Sequence, residues 1–373
     1  MRYLQAILAF IGLLAFAEAA KHQLIVGTFT THFLYTVEYD DVAETLELVK
    51  KTPTDAASSW IALSHDKKNL YGTDWTAEKS SFVSYSLNGA TDIQAQARIF
   101  GEGDCLGLRS IFVAANPMPP YTVYGNYYYD NAKCGTVMSV HDNGTLKSVI
   151  QSYQYADGSA IHGTAFSPDA KIFYSADTTN NSLWMHKVND DGTLTYISQE
   201  NWPAAKADPR HVVVHPNGGY VYVVMEGSSK VVSALSMNNE LYPTQQAFSL
   251  IRSSDKAEDF WSDEVALSAT NKYLWASNRA HDINRKGYIS VINIEPDGKL
   301  SGQDFLTETT SSGGFANAVS PSPFDDHIAA ITDNSTGFIE VWKMSVDKTR
   351  VSAIAHLDIN DGGGCCANAV WYN

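Results

Sequence analysis

One phrase recurs along this chain and limits what it can fold into. Its two plainest copies are neighbours, Ile161 to Tyr174 (IHGTAFSPDAKIFY) and Pro209 to Glu226 (PRHVVVHPNGGYVYVVME). Each reads as a short apolar strand, a Pro-Asp or Pro-Asn turn, and a second strand rich in Tyr and Val. Proline presets the backbone of such a turn, and Asp or Asn hydrogen-bonds its own backbone there, so each copy predicts a β-hairpin. Further copies lie at Trp60 to Gly72, in degraded form around Pro117, at Val265 to Ala276, and at Asn317 to Ile331. The turns sit near positions 66, 117, 168, 216, 269 and 321, a period of roughly fifty residues.

A second kind of turn falls between them: Asp142-Asn143-Gly144-Thr145, Asp190-Asp191-Gly192-Thr193 and Pro296-Asp297-Gly298-Lys299. Asn-Gly and Asp-Gly favour tight hairpins. Each repeat therefore carries two hairpins, or four strands, which is one blade of a β-propeller. Six internal copies leave the two ends over. The strand-like stretch Val26 to Leu34 and the closing Ala367 to Tyr372 are expected to share a seventh blade, which closes the ring and hides the sheet edges. The expected architecture is all-β, a seven-bladed propeller filling residues 20–373 as one domain. With 44% hydrophobic and 12% aromatic residues among 373, the chain can fill the cores such a ring needs.

The first residues read as a secretory signal. Arg2 precedes an apolar run from Leu4 to Phe16, and Ala17-Glu18-Ala19 follows as a small-x-small cleavage site. The run is too short to span a bilayer, and no other apolar run is longer. The expected location is the secretory lumen or the exterior. Three glycosylation sequons, at Asn143, Asn180 and Asn334, suit that route. So does an even count of four cysteines, which allows three pairings. Cys105 with Cys134 is the preferred bridge, leaving Cys365 and Cys366 as a vicinal pair or as free thiols. A net charge of -15 argues against nucleic acid or anionic membrane as a partner. No cysteine-histidine cluster has zinc spacing, so no metal and no cofactor are expected.

The repeat also supplies coordinates. His162 and Arg210 each lie six residues before their turn, at the start of a first strand. Glu226 and Arg279 each lie ten residues after, at the end of a second strand. The two legs of a hairpin end together, so all four belong at one end of the propeller. If the first strands line the axis, they converge on the mouth of the central channel. Histidine exchanges a proton near neutral pH, a carboxylate beside it serves as orienter or second acid/base, and arginines fork onto carboxylates or polarised carbonyls. Each residue alone also has an ordinary structural reading, such as an interblade Glu226–Arg279 ion pair. Their common register favours function. Other features are weaker. No G-x-S-x-G elbow occurs, and Ser312-Gly313-Gly314 lacks the setting of a phosphate loop. The run Tyr127 to Tyr129 is expected to pack between blades. His211 and His215 fall on a strand and are not placed as helical metal ligands.

These residues resemble the fungal 3-carboxy-cis,cis-muconate cyclases, seven-bladed lactonising enzymes. The resemblance is most specific at Gly158 to Gly163, Asp208-Pro209-Arg210, Met225-Glu226, Ala276 to Ala280, Asn317 to Pro321 and Asn368 to Tyr372. It implies that His162, Glu226, Arg210 and Arg279 form the catalytic set. Bacterial 6-phosphogluconolactonases are similar at greater distance. The chain also departs from the cyclases. It carries a signal sequence and sequons, Phe315 stands where the family has a histidine, and eight Trp and 20 Tyr suit a greasy ligand better than a tricarboxylate. These departures resemble secreted fungal relatives that act as hetero-Diels–Alderases, which join a tropolone-derived o-quinone methide to a terpene alkene such as humulene. The expected partner is thus a small apolar or aromatic molecule, with Phe315 touching it. Two other functions are carried forward: muconate lactonisation and a non-catalytic binding platform.

Overall fold

A computed structural model describes residues 20–76, 81–129 and 132–373. The expected signal segment, residues 1–19, lies outside the described residues. Seven antiparallel sheets of four strands each account for the described strands. The innermost strands are Ile61–Leu63, Arg109–Ala115, Ile161–Phe166, Pro209–Val214, Phe260–Leu267, Val319–Pro321 and Ala369–Trp371, and each neighbours the next around a closed circle. We number the blades 1 to 7 in chain order. Blade 1 holds Lys21–Val26, Phe33–Asp40 and Thr45–Pro53, and its inner strand comes from the far end of the chain: Leu24, Ile25 and Val26 pair with Trp371, Val370 and Ala369.

The ring has no common hydrophobic centre. Seven apolar clusters fill the seven gaps between adjacent blades; Tyr174, Met185, Val212 and Val223, for example, join blades 4 and 5. A middle strand therefore buries both faces, which is why Tyr273–Ala280 is buried at every position. The outermost strands face water and mix polar with apolar residues, as in Leu146–Gln154.

The turns behave as their residues require. In blade 4 the Ser167 hydroxyl donates to the Asp169 carboxylate at 2.6 Å and accepts from the Ile172 amide at 2.9 Å. The glycines of the second turns adopt positive φ, and their carbonyls accept hydrogen bonds from tyrosines of the preceding blade. Tyr71 reaches Gly144 at 2.8 Å, Tyr124 reaches Gly192 at 2.5 Å, and Tyr222 reaches Gly298 at 2.5 Å.

Two expectations need correcting. Val26 to Leu34 is not one strand. The chain leaves the sheet at Gly27 and re-enters at Phe33, because Thr28 turns its hydroxyl onto the carbonyls of Thr31 and Phe33. Side chains of this type compete with the ladder for backbone groups. The tyrosine run also divides: Tyr127 is buried between blades, whereas Tyr128 and Tyr129 line the axial cavity. The positive φ of Tyr129 marks where the strand ends.

Both cysteine pairs are disulfides. Cys105–Cys134 spans 5.6 Å between Cα atoms, and Cys365–Cys366 is a vicinal bridge. Among the described residues no helix is long and apolar enough to cross a membrane. Of the three sequons, Asn143 stands on an exposed turn. Asn180 is less open: its amide donates to the Asp157 carbonyl at 3.2 Å and the Ser159 hydroxyl at 3.0 Å, and its sequon partner Ser182 is buried. Asn334 is half-buried and donates to the Cys365 carbonyl.

Candidate active site

A cavity of about 260 Å³ opens at one end of the axis. The residue six positions before each of the six hairpin turns lines it: Trp60, Ile111, His162, Arg210, Asp263 and Phe315, joined by Asn368 ahead of the closing strand. Glu226 and Arg279 reach the same space from second strands. The structure thus brings His162, Arg210, Glu226 and Arg279 together. Phe315 stands at the rim, 71% exposed.

The two arginines are held by acids of the protein itself. Arg210 places Nη1 2.5 Å from Asp263 Oδ1 and Nε 3.4 Å from Glu226 Oε1. Arg279 places Nη2 2.8 Å from Glu226 Oε1 and Nε 3.5 Å from Asp263 Oδ1, and its Nη1 donates to the Phe315 carbonyl. Asp263 also accepts from the Asn317 amide at 2.8 Å. Burial acts to raise the Asp263 carboxyl, but Arg210 and Arg279 outweigh it and hold the group below the usual carboxylate range. Two guanidiniums and two carboxylates make this cluster neutral. Arg210 Nη2 and His162 Nε2 have no hydrogen-bond partner among the described residues, although both side chains line the cavity. They are among the polar atoms available to a ligand, Arg210 Nη2 as a donor and His162 Nε2 as a donor or acceptor according to its tautomer.

Behind His162 runs a buried chain of polar groups. His162 Nδ1 lies 2.9 Å from His211 Nε2, and His211 Nδ1 lies 2.8 Å from Glu264 Oε2. The remaining oxygen, Glu264 Oε1, accepts from the Val265 amide at 3.0 Å. Burial, reinforced by Arg210, pushes both imidazoles well below the ordinary histidine range. Burial, reinforced by Asp263, raises the Glu264 carboxyl well above its ordinary value. Gly163 makes the approach possible, since a Cβ there would lie 2.3 Å from His211 Cδ2.

The wall is aromatic. Phe315 faces Phe29 at 6.4 Å between ring centroids, Phe29 meets Trp75 at 5.3 Å, and Trp75 meets Tyr129 at 6.1 Å. Tyr129 meets Tyr128 at 4.7 Å, and Tyr128 meets His162 at 5.1 Å. Trp60 closes the floor against His211 at 4.8 Å. Opposite, Trp261 packs under Arg279 at 5.4 Å. The tyrosine hydroxyl of Tyr128 is pushed up to about 12, first by burial and then by Glu226.

In the sequence Asp263 and Glu264 are passed over and His211 is weighed only as a metal ligand, yet the same repeat coordinate finds all three. Asp263 is six positions before its turn, like His162 and Arg210, while His211 and Glu264 are five before theirs. The rim aromatics Trp75 and Trp261 carry no comparable signal.

Comparison with known proteins agrees with this architecture. The profile of the family described as "Lactonase, 7-bladed beta-propeller" matches residues 23–363. Carboxy-cis,cis-muconate cyclase of Neurospora crassa is 33% identical over 371 residues, covering 94% of this chain and 99% of that protein. Muconate cycloisomerase 1 of Cutaneotrichosporon cutaneum is 27% identical over 356 residues, covering 88% and 92%. Among solved structures, the periplasmic gluconolactonase of Pseudomonas aeruginosa has a TM-score of 0.78 at 14% identity, covering 94% of this chain and 99% of that one; at that identity the likeness concerns the fold alone. With the profile spanning nearly the whole ring and the Neurospora relative aligned almost end to end, the chain belongs to the seven-bladed lactonase family of β-propellers.

Proposed function

We propose that this chain is a cofactor-free, ring-forming enzyme of fungal secondary metabolism, a hetero-Diels–Alderase that joins a tropolone-derived o-quinone methide to a terpene alkene such as humulene. One observation carries the reading: a continuous aromatic wall surrounds arginines whose charge is already balanced by Asp263 and Glu226. Such a pocket favours a neutral, flat, conjugated ligand over a polyanion, for which the protein's own carboxylates would be repulsive neighbours. The exposed rim rings of Phe315, Tyr129 and Trp261 extend the apolar surface outward for the terpene. Holding both partners in a reactive pose replaces much of the entropic barrier. Arg210 Nη2 would donate to the tropolone oxygens, making the heterodiene more electron-poor, and His162 Nε2 would act as proton donor to the hydroxyl that leaves the precursor. Glu226 would take the hydroxyl proton as the hydroxymethyl precursor loses water to become the quinone methide.

Muconate lactonisation is the second reading, and the Neurospora relative favours it. The comparisons lend it more support than they lend cycloaddition; the lining of the pocket pulls the other way. In lactonisation the arginines would hold carboxylates while His162 and Glu226 handle the proton added at carbon. One assay separates the two. Purified protein and its His162→Gln variant are given the hydroxymethyl tropolone precursor with humulene, and separately carboxymuconate. A single pyran stereoisomer, formed by wild type and reduced about 100-fold in the variant, supports the first reading. Rapid lactone formation from carboxymuconate with no pyran product replaces it with the second. Inert protein with both substrates favours the binding platform. The two disulfides support a place in the secretory lumen or outside the cell, where such bonds persist.

A further inference from the structure

We infer that Glu264, His211 and His162 form one proton conduit, with Glu264 as the reservoir that keeps the pocket-facing nitrogen of His162 in its N–H form. The inference rests on the reading of His162 as the proton donor of the pocket.

The distances link the three groups into one chain, and the protonation of Glu264 sets its direction. With Glu264 in its acid form, Oε1, which accepts from the Val265 amide, is the carbonyl oxygen, and Oε2, 2.8 Å from His211 Nδ1, carries the proton. A carboxyl that donates to Nδ1 leaves His211 protonated on Nε2. That nitrogen then donates across 2.9 Å to His162 Nδ1, which puts the remaining ring proton of His162 on Nε2, toward the cavity. A carboxylate at Glu264 would reverse every bond and present a bare nitrogen to the ligand. The surroundings favour the acid form. Glu264 is buried beside the Asp263 carboxylate, and Trp60 and Phe112 pack on His211 at 4.8 and 5.4 Å. Arg210 faces the chain from the Pro209–Val214 strand and Arg279 from Tyr273–Ala280, both paired to Asp263 and Glu226, while Tyr128 flanks His162.

In the step itself, His162 Nε2 gives its proton to the hydroxyl that leaves the precursor as water. His211 Nε2–H passes its proton to His162 Nδ1, and Glu264 Oε2–H passes its own to His211 Nδ1. One C–O bond breaks and one O–H bond forms. Glu264 ends as a carboxylate, both rings are neutral in the opposite tautomer, and no imidazolium persists. The proton that Glu226 takes from the tropolone hydroxyl returns through water at His162 Nε2, and the chain resets. Glu264 touches no substrate and is a positioning residue that also stores the proton.

Infrared spectra test the resting state. Wild-type protein at neutral pH should show the carbonyl band of a neutral carboxylic acid that shifts in D2O and on 13C-glutamate labelling, and that is missing from Glu264→Gln. Kinetics test the step. Glu264→Gln should lower kcat about 100-fold with KM within about twofold, and Glu264→Asp should recover part of the loss. An absent acid band in wild type overturns the inference, and needs no variant to fold. So does an unchanged kcat in a folded Glu264→Gln protein while His162→Gln is inactive. If His162→Gln is itself fully active, the reading of the site fails instead.

Discussion

Asp263 sets the charge of the pocket. It sits between two guanidiniums, accepts a backbone amide, and is buried. Asp263→Asn keeps the shape and the acceptor but leaves Arg210 and Arg279 sharing Glu226. Losing one partner of a buried ion pair costs about 3–5 kcal/mol, so urea unfolding at pH 7 should show a loss near the lower bound. The pH dependence has a defined sign. The folded Asp263 carboxyl lies below its unfolded value, so its contribution is complete above the ordinary Asp value of about 3.9. It is lost as pH falls from there through the depressed folded value. The gap between wild type and Asp263→Asn should therefore narrow on acidification; a constant gap would show that Asp263 acts through packing. This carboxylate was legible in the sequence in principle. Its register matches that of His162 and Arg210, but an acid in the SDEVAL segment looks like solvated strand unless every blade is read with the same ruler. The proton conduit was hidden for another reason: His162 meets His211 across a blade boundary, and spacing within one repeat says nothing of contact with the next.

The strands that carry the site can approach only where side chains allow it. Gly163 lies beside the neighbouring inner strand, where a Cβ would meet His211 Cδ2 at 2.3 Å and the Arg210 carbonyl at 2.8 Å. Neither can yield, because one is a buried ring and the other is backbone. Gly163→Ala should push blades 4 and 5 apart at the axis, cost about 1–3 kcal/mol as overpacking does, and lower turnover by breaking the His162–His211 bond. Gly302→Ala is the control, since the nearest atom to a Cβ there is 3.7 Å away; it should leave thermal midpoint and turnover unchanged. Equal effects from both would rule out close approach as the cause. At this scale the sequence was most readable where turn chemistry and strand composition agreed, as in blades 4 and 5. It misled at Val26 to Leu34, where β-branched and aromatic residues read as strand although Thr28 spends its hydroxyl on the loop and Phe29 lines the pocket. Composition records preference, and here the ligand cavity decides.

A propeller without a common centre is only as sound as its seam. The seam is the three-residue strand Ala369–Trp371, which pairs with Lys21–Val26 and brings the ends of the chain together. Trp371 ties it on both sides: its ring meets Tyr39 of blade 1 and Phe324 of blade 7, and its Nε1 donates to the Ser320 carbonyl at 2.9 Å. Trp371→Ala removes all of this and should cost about 3–5 kcal/mol. The order of events on heating tells more. Every blade contributes to the cavity, so a parted seam spoils the site while the six other interblade cores stay packed. Activity in Trp371→Ala should therefore vanish at a temperature below the loss of β-sheet circular dichroism, with aggregation as the freed edge of Lys21–Val26 finds other chains. In wild type the two midpoints should coincide. Coincident midpoints in the variant as well would mean that the ring opens everywhere at once, and that closure adds to total stability without guarding the site in particular.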